Sequence, residues 1–354
     1  MRSSMETIAR PPLETVSGTI QPYAEERARA GARPVFIVGC PRSGTTLLYH
    51  MILSSGDFAV FLRESSAFCF LGLKFPNLES VRERKGLLDY WLSTPWSAGS
   101  GLKRGDIEAR ILEECRNIGD FLRIVMEAIC RKQGVSRWAE KSPLHALYIP
   151  EIKQFIPGAL VVHIIRDGRD VALSLANFGR TRPFPWDGSN NVSAFGVYWK
   201  WMVRKARTSG RRLGQDYYEM HYEDLVQNPK DTLAALGRFI DHELDHDRIL
   251  QTGIGSVSHP ESSFKGATTP GDFKPVDRWR QKYLSEELGQ FESLVGDCLE
   301  EFGYTLASDP SERRQSLSTV ASRVFYTSQI ESLHWLKGRK ALRHFVGKRG
   351  KSRQ

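Results

Sequence analysis

Two stretches of this chain carry residue types suited to holding anions. The run Gly39-Cys-Pro-Arg-Ser-Gly44-Thr45-Thr46 follows an apolar segment and precedes Leu47-Leu-Tyr-His-Met-Ile-Leu53. Its spacing matches the phosphate-loop pattern G-x-x-x-x-G-K-[ST], except that Thr45 stands where the lysine would be. Backbone N–H groups in such a loop converge on an anion, and the N-terminus of the next helix favours negative charge. Arg42 adds a cation, and the hydroxyls of Ser43, Thr45 and Thr46 add donors. The missing lysine, and the lack of an apolar strand ending in a lone magnesium-holding aspartate, argue against triphosphate chemistry. The second stretch is Arg166-Asp-Gly-Arg-Asp-Val-Ala-Leu-Ser174, directly after the apolar run Ala159–Ile165. A fork-shaped guanidinium and a hydroxyl eight residues on suit a second phosphate. The alternative is a surface ion-pair network of Arg166, Asp167, Arg169 and Asp170. Asp167 and Asp170 suit orienting or capping better than anion binding.

The elements that must position these groups alternate strand and helix. Pro34–Gly39 is apolar throughout, as a buried parallel strand would be. A second strand is expected at Asp57–Phe61, ending at Arg63-Glu64, and a short one at Arg137–Glu140 before Lys141-Ser-Pro143. Ala159–Ile165 is the clearest strand, and Tyr217–His221 is another. Helices are expected at Arg169–Phe178, Ser193–Leu213, Asp231–Ile240 and Ser285–Phe302, with mostly helical pattern between Phe75 and Gly134. Gly179–Asn190 and Gly253–Pro275 read as loops. This alternation predicts an α/β fold of the P-loop type: three layers around a central, mostly parallel sheet, with helical insertions and a helical C-terminal tail. Ligands of such folds sit at the carboxyl ends of the strands. Residues 1–33 are expected to be a loosely ordered lead-in, 34–306 the domain, and 307–354 a basic, partly helical tail.

Pro41-Arg-Ser-Gly-Thr-Thr46 and Arg166-Asp-Gly-Arg-Asp170…Ser174 resemble the two signatures of the sulfotransferases, which use 3′-phosphoadenosine 5′-phosphosulfate (PAPS). The likeness runs from about Pro34 to Tyr304. It takes in Glu140-Lys-Ser-Pro143, Tyr222-Glu-Asp-Leu-Val226 with Pro229, Arg278-Trp-Arg280 and Gly303-Tyr304. It is nearest in style to soluble bacterial members and to the tyrosylprotein and carbohydrate types. The resemblance implies that the first loop, with Arg42, Ser43, Gly44, Thr45 and Thr46, takes the 5′-phosphosulfate. It implies that Arg166 and Ser174 take the 3′-phosphate.

Sulfuryl transfer needs cations on the transferring group, a base for the acceptor proton, and alignment of the two. Arg42 and Lys141 are the candidate cations. Lys141 holds a Lys-x-Pro position similar to the catalytic lysine of tyrosylprotein and related enzymes, against the alternative of a surface lysine pairing with Glu140. Glu64 is the candidate base, as a glutamate near this place is in the tyrosylprotein enzymes, against pairing with Arg63 or another cation. His145 and His163 are alternative bases, and no histidine is expected near Glu64. Tyr222 resembles a residue near the adenine or the acceptor, or packs the core. Lys274, in Lys274-Pro-Val276, looks like a lysine of the tyrosylprotein enzymes, and with Ser258 and Lys265 is expected to close over the donor. Tyr198, Trp199 and Trp201 line an acceptor pocket or form a core stripe. The implied donor is PAPS, released as PAP, and no metal is required because the leaving group is already a stabilised anion. The competing classes are a P-loop small-molecule kinase and a non-catalytic nucleotide-binding relative.

Charge supports a local rather than a global anion site. The 354 residues carry a formal charge of +9, yet Ser311–Gln354 alone holds 11 Lys/Arg against 2 Asp/Glu, and the preceding 310 residues hold 39 of each sign. A basic nucleic-acid-binding body is therefore excluded. Five widely spaced cysteines without a Cys-x-x-Cys pair predict neither disulfide framework nor zinc site. A cytoplasmic protein is expected, since the start of the chain lacks an apolar run. The acceptor is expected to be a small molecule, glycan or lipid. Leu317–Val346 reads as a helix of mixed faces. Leu333, Leu336, Leu342, Phe345 and Val346 are its apolar contacts, and basic residues from Arg339 onward could meet an anionic membrane or a partner.

Overall fold

The computed structural model describes residues 33–178, 191–259, 275–311, 313 and 317–338. Its centre is a four-stranded sheet of β1 (Val35–Val38), β2 (Ala139–Lys141), β3 (Leu160–Ile165) and β4 (Tyr217–His221), in the order β2-β1-β3-β4 and parallel throughout. The register pairs Ile37 with Lys141 and Val162, and Ile165 with His221. Side chains alternate across the pleat. Phe36, Val38, Val161 and Ile165 enter one apolar core, and Val35, Ile37, Leu160, Val162 and Ile164 enter the other. With both faces covered, β1 and β3 must be apolar at every position, and only His163 departs from that rule.

The helices that build the two layers are α1 (Thr45–Ser54), α2 (Val81–Leu92), α3 (Ile118–Gln133), α4 (Ile149–Phe155), α5 (Gly168–Phe178), α6 (Val192–Gly210), α7 (Tyr222–Gln227), α8 (Pro229–Ile240), α9 (His246–Thr252), α10 (Ser285–Glu301) and α11 (Leu317–Gly338). The first core lies under α3, α5, α6 and α10, and the second under α1, α7, α8 and α9. Local sequence sets several boundaries. Asn117 caps α3 and exchanges bonds with Asp120, Gly134 ends that helix at φ 69°, and Asn191 caps α6 through the Ala194 N–H. α11 docks on the body by burying Ile330 and Leu333. Trp201 donates to Glu331 at 2.6 Å, and Arg323 donates to the Ser293 carbonyl.

One expected strand does not form. Asp57–Phe61 makes a single parallel bridge, Phe58 to Arg137, and then leaves the sheet. The Gln133 side chain takes both the N–H and the carbonyl of Val60, so backbone groups that a neighbouring strand would pair are satisfied by an amide instead. Positive φ at Gly56 and Asp57 turns the chain just before this point. The short strand expected at Arg137–Glu140 begins two residues later and ends one later, at Ala139–Lys141.

Candidate active site

All four strands end at the same rim. The loop Gly39–Gly44 leaves β1, Lys141 ends β2, Arg166 follows β3 and Tyr222 follows β4. The order β2-β1-β3 makes the gap between β1 and β3 the point where connections run in opposite directions, which is where open α/β sheets bind ligands. A cavity of about 690 Å³ opens there. Arg42, Gly44, Thr45, Thr46, Glu64, Arg166 and Tyr222 all line it.

The first loop is shaped by close approach. Gly44 sits at φ 92°, and a Cβ there would lie 2.2 Å from the Tyr222 ring. Only glycine meets both constraints. Gly44 is also the N-cap of α1, and no side chain caps the helix, so first-turn N–H groups are left for a ligand. Arg42 holds a left-handed backbone (φ 75°), a strained conformation for a long side chain of the kind that gathers at binding sites. Ser43 is fully buried and its Oγ has no partner among the described residues. An orphaned hydroxyl, an uncapped helix start and a glycine cradle fit a phosphate-bearing ligand.

The two stretches identified in the sequence meet. Arg42 Nε donates to Ser174 Oγ at 3.0 Å, and Arg166 Nη1 donates to the Arg42 carbonyl at 3.2 Å. Arg166 also donates to the Pro275 carbonyl at 2.8 Å and lies over the Tyr222 ring, 4.6 Å from its centroid. The four-residue ion-pair alternative is realised in part, but inside the molecule. Arg169 bridges Asp167 and Glu292 at 2.7 Å each, while Asp170 accepts from Arg166 at 3.5 Å and from the Trp279 N–H at 2.9 Å. Asp167 and Asp170 therefore brace the strand end. Burial, and then the positive charges of Arg166 and Arg278, hold the Arg42 pKa below its ordinary value. Three guanidinium groups within electrostatic reach of one another are costly unless an anion joins them.

Across the rim, Lys141 Nζ donates to Glu64 Oε1 at 2.9 Å. The lysine is buried and the glutamate half-exposed, and the second carboxylate oxygen of Glu64 has no partner among the described residues. Glu64 is not paired with Arg63, nor Lys141 with Glu140. Glu140 is instead wholly internal. It accepts from Ser65 N–H and Oγ, from Ser142 Oγ and from His145 Nδ1. Burial pushes its pKa up, but His145 and these donors outweigh that and hold the carboxylate below its usual range. Ser142 Oγ accepts the Ser66 N–H, and His145 Nε2 accepts the Phe68 N–H. One buried cluster thus ties the segment after Glu64 to the segment after Lys141.

The histidines fall differently from expectation. His145 is fully buried with both ring nitrogens engaged, and His163 is fully buried in β3 with Nδ1 bonded to the Tyr217 hydroxyl. Neither reaches the cavity. A third histidine, His50 on α1, lies within electrostatic reach of Lys141. Its Nδ1 accepts the Ser256 N–H at 2.9 Å, and burial followed by the charge of Lys141 lowers its pKa to about 4. The chain brings it there by helical geometry, a little over one turn beyond Thr46. Arg278 is the other site residue whose place the sequence did not reveal. Nothing in Arg278-Trp-Arg280 distinguishes the arginine near Arg42 from Arg280, which is exposed.

Other assignments resolve structurally. Trp199 is a core residue that donates to the Arg166 carbonyl, while Trp201 stacks with Tyr198 and bonds Glu331, and none of the three lines the cavity. Ser258 donates to the Gly253 carbonyl, closing the end of α9. Lys265 and Lys274 lie outside the described residues, as do 1–32 of the lead-in, Gly179–Asn190 and the tail beyond Gly338.

Comparison with known proteins agrees with this architecture. A family model described as "Sulfotransferase family" matches residues 34–246, most of the chain. A Caenorhabditis briggsae protein named "Putative protein-tyrosine sulfotransferase" is 23% identical over 304 residues, covering 82% of this chain and 95% of its own. A Caenorhabditis elegans protein of the same name is 26% identical over 198 residues, covering 54% and 72%. The sulfotransferase domain of the Synechococcus PCC 7002 olefin synthase superposes with a TM-score of 0.51 at 19% identity, over 78% of this chain and 97% of that one. The chain belongs to the sulfotransferase family. It is an enzyme of that class, with the α/β fold the family shares.

Proposed function

We propose that this enzyme transfers a sulfuryl group from PAPS to a hydroxyl or amine of its acceptor by in-line displacement. The observation that carries the reading is that Arg42 of one anion corner, Arg166 of the other, and Glu64, which Lys141 holds from behind, share one cavity. The uncapped start of α1 with Arg42, Ser43, Thr45 and Thr46 suits the 5′-phosphosulfate. Arg166 and Ser174, with Arg278 nearby, suit a second phosphate at the 3′ position. Tyr222, Leu225 and Val257 offer the apolar wall a purine needs.

Glu64, at the mouth beside Pro143 and Leu144, accepts the acceptor proton through its uncommitted oxygen. The acceptor oxygen or nitrogen forms its bond to sulfur as the bond from sulfur to the 5′-phosphate oxygen breaks. PAP leaves with the electron pair. Arg42 and Lys141 offset the charge that gathers on the transferring group and the leaving oxygen. The leaving bisphosphate is already stabilised, so the proposed route uses no metal. The acceptor belongs to the small-molecule, glycan, lipid or protein classes.

Incubation with radiolabelled PAPS and an extract of the source cells should yield a labelled product. In a thermal-shift assay PAP should raise the melting temperature and ATP should not. Stabilisation by ATP and not by PAP would defeat the assignment.

A further inference from the structure

We propose that α11 is a docking face for an anionic lipid surface. Its exposed positions form one helical face: Val320, Ala321, Val324, Phe325, Ser328, Ser332 and Trp335. Four of these are large apolar residues that keep about half their surface in water, at 43%, 59%, 57% and 51% for Val320, Val324, Phe325 and Trp335. No exposed residue of this face is charged. The charged residues at Arg323 and Glu331 turn the other way, Arg323 to the Ser293 carbonyl and Glu331 to Trp201 and Lys205. A surface helix ordinarily buries its apolar face and shows its charges. Here the helix packs on the body through Ile330 and Leu333 and still presents a second apolar face outward.

The partner follows from what continues the chain. Residues 339–354 carry Arg339, Lys340, Arg343, Lys348, Arg349, Lys351 and Arg353, with no Asp or Glu. An apolar face with an aromatic residue, continued by a run whose formal charges are all positive, matches the two forces that hold a helix at an anionic interface. A second copy of the chain would offer the basic run no acid from its own α11 face. Among the described residues no helix is long and apolar enough to cross a membrane, so the contact is one of lying on the surface.

Co-sedimentation of the full chain with vesicles tests this. Phosphatidylcholine vesicles carrying phosphatidylserine should bind it at least about tenfold better than phosphatidylcholine alone, and added salt should weaken the binding. Phe325→Ser with Trp335→Ser should reduce binding about tenfold, as should Arg339→Glu, Lys340→Glu and Arg343→Glu together. Sulfuryl transfer to a soluble acceptor should be unchanged in both, since among the described residues none of α11 lines the cavity and the charge variant touches no residue placed in the site. The charge variant leaves Ile330 and Leu333, which pack α11 on the body, unchanged and so keeps the test valid if the apolar one unfolds. Equal binding to both vesicle types, or parental binding by the charge variant, would overturn the proposal. So would a parental dimer that the Phe325/Trp335 variant dissolves while vesicle binding persists, because the face would then be a self-association surface.

Discussion

Lys141 Nζ lies 2.9 Å from Glu64 Oε1, joining the end of β2 to a loop 77 residues earlier in the chain. The contact places a buried cation against a half-exposed carboxylate at the cavity mouth. Each partner was a candidate on its own, but pairing makes them one unit. Lys141→Ala should lower turnover about a hundredfold or more while changing PAP affinity by less than about threefold, the signature of an interaction made in the transition state. Turnover and PAP titration decide it, and unchanged turnover would remove Lys141 from the mechanism.

Arg166 is held by the Arg42 carbonyl, the Pro275 carbonyl and Asp170. If its charge serves the 3′-phosphate, Arg166→Lys should weaken PAP about tenfold or more and adenosine 5′-phosphosulfate, which lacks that phosphate, far less. Isothermal titration with both ligands separates the cases. Equal weakening would place the 3′-phosphate elsewhere.

Glu140 should act as a positioning residue. Glu140→Gln keeps the size but turns one acceptor oxygen into an NH2 donor, so it can no longer accept from both the Ser65/Ser142 hydroxyls and His145. We expect kcat to fall about tenfold with KM for PAPS nearly unchanged, because the cluster aligns Glu64 and Lys141 rather than the phosphate loop. Glu140→Asp should restore part of the loss. A variant whose only change is a lower melting temperature would mean that the cluster serves stability alone.

His50 supplies a pH dependence. Its folded pKa, about 4, lies below the ordinary histidine value, so the fold disfavours its charged form. The unfolded chain takes up the proton first as pH falls. The stability that neutral His50 contributes is therefore full above about pH 6.5 and is lost on acidification toward 4. His50→Gln should flatten that part of a melting-temperature profile. A parental slope in the variant would assign the effect to other groups.

Elements whose residues carry their own local reasons are legible in the chain before it folds. β1 and β3 had to be buried because they are apolar on both faces. The phosphate loop was legible because glycine spacing, hydroxyls and a following helix are contiguous, and Arg166 was legible because it ends an unmistakable strand. Asp57–Phe61 has a strand-like pattern, yet the backbone groups of Val60 are taken by Gln133, 73 residues further along the chain. Folding in three dimensions supplies what depends on distant segments meeting. It set Arg42 against Ser174, Lys141 against Glu64 rather than Glu140, and Arg278 and His50 beside the site. It also turned the apolar face of α11 outward. Local pattern reports backbone preference and one side of a contact. The choice of partner depends on the parallel stacking of β2, β1, β3 and β4, which brings four loops distant in sequence to a single rim.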